Sequence, residues 1–157
     1  ISCENNMKYI IDSEFIDTPT CSALISLAIV REDGAHRYFE FDYPEDEITP
    51  WLRDNVVAHL GKTRSTFAVA AMEIERFIGA DKPEFWCYYG AYDWYWFCRL
   101  WGGFMSMPQG TWPMLFREFA MIQQGVPDVA GAEHNALNDC RSILHAMKLR
   151  GMVALLP

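Results

Sequence analysis

From Met7 the chain opens with an alternating stretch, "MKYIIDSEF", in which Tyr9 and Ile11 share one side and carboxylates then follow, as in a central strand near its carboxyl end. "ALISLAIVRED" and "HRYFEFDY" read as two further strands, with "EDGA" between them as a hairpin turn, which makes a three-strand meander. "ITPWLRDNVVAHL" and "STFAVAAMEIERFI" carry apolar residues at helical spacing, and "PEFWCYY" returns to strand after Pro83. Helical spacing resumes in "AYDWYWFCRLW", "WPMLFREFAMIQQ" and "ALNDCRSILHAMKLR". Strands, helices, a strand and more helices predict an α/β domain whose mixed β-sheet is flanked by helices. The chain has 157 residues and shows no repeat, low-complexity tract or linker, which suits a single domain. Residues 1–6, "ISCENN", lack the patterning that begins at Met7 and are expected to be an N-terminal extension, leaving 7–157 as the domain.

Composition narrows the function. Half the residues are hydrophobic and 15% are aromatic, which excludes a disordered chain and implies a well-filled interior. No apolar run approaches the ~18 residues of a membrane span, so no membrane partner is expected. The five cysteines are odd in number, with no C-x-x-C pair and no signal-peptide pattern, and a cytoplasmic location is expected. A net charge of -8 argues against a protein that coats nucleic acid through many basic contacts. It leaves room for an enzyme that holds a few phosphates through divalent cations bound by its acids.

The acids are placed for that chemistry. Asp12 and Glu14 lie two apart on a predicted strand, so both emerge on one face within reach of one cation. Asp93 stands just past the strand "FWCYYG", at a helix start. His134 and Asp139 are five apart, a spacing that on a helix rotates one roughly 140° from the other. If they cooperate, His134 must precede the helix, with Asn135 and Asn138 bonding the free donors at its start and Asp139 in its first turns. Singly, each has an ordinary reading: a solvated strand end, an acid favoured by the helix dipole, a histidine in a capped loop. Together they make four hard oxygen ligands and one base. Such a set suits two Mg²⁺ or Mn²⁺ ions ~3.5 to 4 Å apart in an in-line phosphoryl displacement, His134 taking the proton of the attacking water.

"IDSEFID", "GAYDWYWFCRLWG" and "HNALNDCR" resemble the three motifs of the DEDDh 3'-5' exonuclease family, in that family's order. Within it the chain is most similar to the mycobacterial-type adenylate-specific exoribonucleases and their phage relatives, over nearly its whole length from Met7 to Gly151. The resemblance implies a ribonuclease H-like fold and release of nucleoside 5'-monophosphates from single-stranded RNA 3' ends, poly(A) among them. It implies two Mg²⁺ ions, with Mn²⁺ able to substitute, and a homodimer. By motif, Asp12, Glu14, Asp93 and Asp139 would be the metal ligands and His134 the general base. Phe15 would pack against the terminal base, the alternative being that it points into the core, and Tyr92 of the G-A-Y-D stretch would be a second substrate-binding residue.

Other readings stay open at this level: a 3'-5' DNA exonuclease of the same family, a catalytically silent relative that binds RNA ends, and a calcium-stabilised domain. The intact set of five argues against the silent relative, since an inert domain has no need of crowded like charges. Calcium sites usually draw their ligands from one contiguous loop rather than three segments.

The stretch around Asp93 is apolar around most of a helix's circumference, so more than one side must be covered. Asp93, Phe97 and Leu100 can face the sheet, while Trp94, Tyr95 and Trp101 need another partner. A two-fold dimer interface is the first expectation, a base-stacking platform the second, and packing under the "WPMLF" helix the third.

Overall fold

The computed structural model describes residues 6–88, 90–111, 115–118 and 134–154. Its five strands are β1 (Met7–Asp17), β2 (Ser22–Arg31), β3 (His36–Glu40), β4 (Pro83–Cys87) and β5 (Leu115–Glu118). They form one mixed sheet in the order β3-β2-β1-β4-β5. β1 pairs antiparallel with β2 and β2 with β3, which is the predicted meander, while β1–β4 and β4–β5 are parallel. The turn after β2 closes at Gly34, whose φ of 91° suits a residue without Cβ and whose N–H donates to the Arg31 carbonyl.

Among the described residues four α-helices accompany the sheet: α1 (Pro50–Asn55), α2 (Phe67–Ile78), α3 (Gly90–Arg99) and α4 (Ala136–Leu149). Thr49, Thr66 and Asn135 cap α1, α2 and α4, each side-chain oxygen accepting a backbone N–H of the first turn. Alternation then sorts the central strand. Tyr9 and Ile11 pack with Ile74 of α2 and Phe97 of α3, whereas Ile10 packs with Cys140 and Met147 of α4. Helices therefore cover both faces, and Asp12 and Glu14 share the α4 face with Ile10.

The β1–β2 register shifts between Glu14 and Phe15, whose partners are Ser26 and Leu24, so Ile25 is the extra residue of a bulge. Leu24 rejoins the α2–α3 side, while Ile25 joins Ile16, Ile48 and Val56 in a separate small core with Leu52 of α1 against it. The bulge is what gives the short helix α1 something to sit on beside the carboxyl end of β1.

Two expectations need correction. The predicted "WPMLFREFAMIQQ" helix is a strand at Leu115–Glu118, because the open edge of β4 offers backbone partners that outweigh the helical spacing. Residues 112–114 and 119–124 of that stretch lie outside the described residues. Trp94 and Trp101 also find partners within the chain. Trp94 packs on Phe85, Phe97, Phe104 and Phe116, and Trp101 packs on Phe97 while its Nε1–H donates to Glu75. The third expectation for these rings was nearest, with a strand in place of the helix. Asp93, Phe97 and Leu100 are buried as expected, and Tyr95 stays exposed. Among the described residues no helix is long and apolar enough to cross a membrane.

Candidate active site

β1 continues past the two acids to Asp17, so Asp12 at its middle and Glu14 two residues on reach from within the strand toward α4, whose first turns bring Asp139 to meet them. One oxygen from each of the three lies within 4.8 Å of the others, and all three residues are partly buried. Burial is the main reason that Asp12 holds its proton well above the usual carboxylate range, reinforced by the charges of Asp93, Glu14 and Asp139. Glu14 is pushed up to about 8, again by burial first and then by Asp139 and Asp93. Hard oxygens crowded together at this spacing fit a divalent cation, which would supply the charge that their mutual repulsion opposes.

Asp93 approaches from α3, on the other face of the sheet. Its Oδ1 accepts from the Ser13 N–H at 2.9 Å and from the Ser13 hydroxyl at 2.6 Å, in a buried setting. It therefore stands beside the three-carboxylate group, close enough to raise Asp12 and Glu14, without joining the tight cluster. Ser13 is a contributor that the residue pattern did not single out. Its signal was its place between the two acids of D-x-E, where alternation turns it to the α3 side.

Phe15 lies two residues beyond Ser13 on that same side and is half-buried against the core. Tyr92 stacks on it with ring centroids 4.6 Å apart and planes 21° from parallel, and its hydroxyl donates to Asp17. The two predicted substrate residues are thus neighbours, and Tyr92 keeps 46% of its surface exposed.

His134 stands off the helix, as the five-residue spacing required. Its φ is 59°, and the next residue, Asn135, caps α4 by accepting the Asn138 N–H. The imidazole meets the indole of Trp51 edge to face at 4.8 Å. Trp51 had no signal in its local sequence. Beneath the site Cys140 is fully buried, its Sγ reaching the carbonyls of Ile10 at 3.5 Å and Ala28 at 3.7 Å. Burial, then the charges of Asp12, Asp93 and Asp139, pushes this thiol far up, so it stays protonated.

Two Mycobacterium tuberculosis proteins named 3'-5' exoribonuclease, from strains CDC 1551/Oshkosh and ATCC 25618/H37Rv, are 30% identical to this chain over 156 residues. The match takes in 91% of this chain and 92% of each relative. The chain belongs to the DEDDh 3'-5' exonuclease family. A solved exonuclease I shares the fold of this exonuclease with a TM-score of 0.61 and 14% identity, over 96% of the chain. The zinc-bound Escherichia coli exonuclease I complex with single-stranded DNA gives 0.59 and 15%, over 93%. The chain spans about two-fifths of those longer proteins, 42% and 41% respectively. No family model matches the chain.

Proposed function

We propose that this protein is a metal-dependent 3'-5' exoribonuclease that trims single-stranded RNA one nucleoside 5'-monophosphate at a time, with poly(A) among its substrates. The observation that carries the reading is the meeting of Asp12, Glu14 and Asp139 between β1 and α4, in a chain 30% identical over nearly its whole length to proteins named 3'-5' exoribonuclease. Asp12, Glu14 and Asp139 would hold two Mg²⁺ ions, or Mn²⁺ in their place, with Asp93 as the fourth ligand. When bound, such cations neutralise the phosphate and lower the pKa of an attacking water.

His134 accepts the proton of the attacking water, whose oxygen bonds to phosphorus as the bond to the 3' oxygen of the preceding nucleotide breaks. That oxygen leaves as an alkoxide and takes its proton from solvent water, His134 later returning its own proton to solvent, and the released nucleotide keeps its 5' phosphate. Phe15, braced by Tyr92, presents a ring for the terminal base, worth ~1 to 3 kcal/mol per base stacked. We also propose a homodimer, for which the exposed Tyr92, Tyr95, Phe104 and Met105 offer apolar surface.

The test is incubation with 5'-labelled oligo(A), oligo(U) and oligo(dA) in Mg²⁺, Mn²⁺ or EDTA. A ladder that shortens from the 3' end, releases 5'-monophosphates and vanishes in EDTA is expected, with RNA preferred. Cleavage of a circular RNA, or full activity in EDTA, overturns the reading. The exonuclease I complex holds single-stranded DNA, so faster digestion of oligo(dA) would make this a DNA exonuclease. Light scattering at micromolar concentration tests the dimer.

A further inference from the structure

His134 is the one non-glycine residue with positive φ among the described residues. A side chain there is held by its surroundings rather than by its own backbone preference. Asn135 fixes the backbone side of that loop through the α4 cap. The ring has a separate support in Trp51, at 4.8 Å and 70° between planes. Trp51 is 52% exposed, so it is no ordinary core residue. Its backbone is pinned all the same: Thr49 accepts the Leu52 N–H at 3.2 Å, and the Asn55 side-chain amide donates to the Trp51 carbonyl at 2.8 Å. Leu52 next to it packs on the small core of Ile16, Ile25, Ile48 and Val56 that the β-bulge creates. The short helix α1, anchored by these contacts, thus carries one half-exposed indole to the imidazole of a residue more than eighty positions away.

We propose that Trp51 is a positioning residue for this reaction, fixing the His134 imidazole in the orientation in which it accepts the proton of the attacking water. The inference rests on the reading of His134 as the general base. An aromatic pair of this geometry favours one ring orientation by a factor of roughly 2 to 12. Misplacing a reacting group by ~1 Å lowers a rate by up to ~10²-fold. Trp51 acts through His134, so its removal lowers kcat and leaves KM alone.

The experiment uses the full chain at saturating Mg²⁺, with kcat and KM measured on oligo(A). Trp51→Ala and Trp51→Phe are compared in the wild-type background and in His134→Ala. Trp51→Ala lowers kcat roughly 2- to 12-fold, the orientational preference that the ring supplies, with KM within ~2-fold, and Trp51→Phe restores most of the rate. In His134→Ala, whose residual rate is read in single-turnover conditions, Trp51→Ala has no further effect, the mark of a fully coupled pair. Trp51→Leu keeps apolar bulk without the ring and loses rate as Trp51→Ala does, so a folding defect in the alanine variant does not hide the result. Retention of the Mn²⁺-dependent rise in Tm shows the metal site intact. An equal loss in the His134→Ala background, a change in KM alone, or a full-rate Trp51→Leu overturns the proposal. A wild type inactive on every oligonucleotide overturns instead the exonuclease reading beneath it, and this assignment with it.

Discussion

Replacing Glu14 with glutamine is expected to stabilise the metal-free protein, and increasingly so as pH rises. Oxygens of Asp12, Glu14 and Asp139 lie within 4.8 Å of one another, where two full charges repel by ~3.5 kcal/mol at an effective dielectric of ~20. Glu14 answers by holding its proton to about 8 against an ordinary 4.5, through burial first and the charges of Asp139 and Asp93 second. The folded state thus keeps a proton that the unfolded chain has released, and stability is lost as pH climbs from about 4.5 through about 8. At ~1.36 kcal/mol per pH unit this interval amounts to nearly ~5 kcal/mol, which solvent screening at a partly exposed site reduces to ~2 kcal/mol. In a domain of this size ~2 kcal/mol moves Tm by ~4 to 8 °C. The assay is thermal melting by circular dichroism in EDTA at pH 5, 7 and 8.5, wild type against Glu14→Gln. The two should melt nearly together at pH 5 and separate by that amount at pH 8.5, with the variant the more stable. Adding Mn²⁺ should raise the wild-type Tm and leave the variant nearly unmoved. A difference that does not depend on pH, or a wild type that outlasts Glu14→Gln in EDTA at pH 8.5, would refute the account of the cluster.

The other contacts carry outcomes of their own. Ser13→Ala, which keeps the backbone donor to Asp93 but loses the hydroxyl at 2.6 Å, should lower kcat about 10-fold, the scale of one hydrogen bond to a charged group, as steady-state kinetics on oligo(A) will show. Phe15→Ala should raise KM for oligo(A) about 10-fold, since base stacking is worth ~1 to 3 kcal/mol, whereas Tyr92→Phe keeps the stack, loses only the bond to Asp17 and should be much milder. His134→Ala should reduce kcat ~10² to 10⁴-fold while calorimetry finds Mn²⁺ binding unchanged. Asp139→Asn should lose both binding and turnover.

What could be read from the chain was what is local. "MKYIIDSEF" carries its own strand period, and the two acids fall on one side of it. "HNALNDCRS" carries its own cap, so the position of His134 before α4 and of Asp139 within it comes from five consecutive steps along the backbone. The residues that escaped are those whose role is set by something distant. Leu115–Glu118 has helical spacing and becomes a strand only because β4 presents a free edge. Trp94 and Trp101 looked like rings in search of another molecule, and their partners Phe116 and Glu75 lie in other elements. Ser13 was passed over because its bonds to Asp93 depend on how α3 crosses β1. Trp51 depends on a bulge in β2 that no residue pattern announces.

Cys140 gives the site a calliper. Asp12 rides on a strand and Asp139 on a helix, so the width of the gap between them is the thickness of the layer that separates α4 from β1 and β2. That layer is thin here because its contact residues are small: Cys140 reaches the Ile10 and Ala28 carbonyls directly, and Ala28 and Ala136 are fully buried in the same cluster. A leucine at 140 would act as a wedge, prising the two carboxylates apart without altering either. For a cation held by those carboxylates, choice by radius would then be governed in part by a side chain that need never touch the ion.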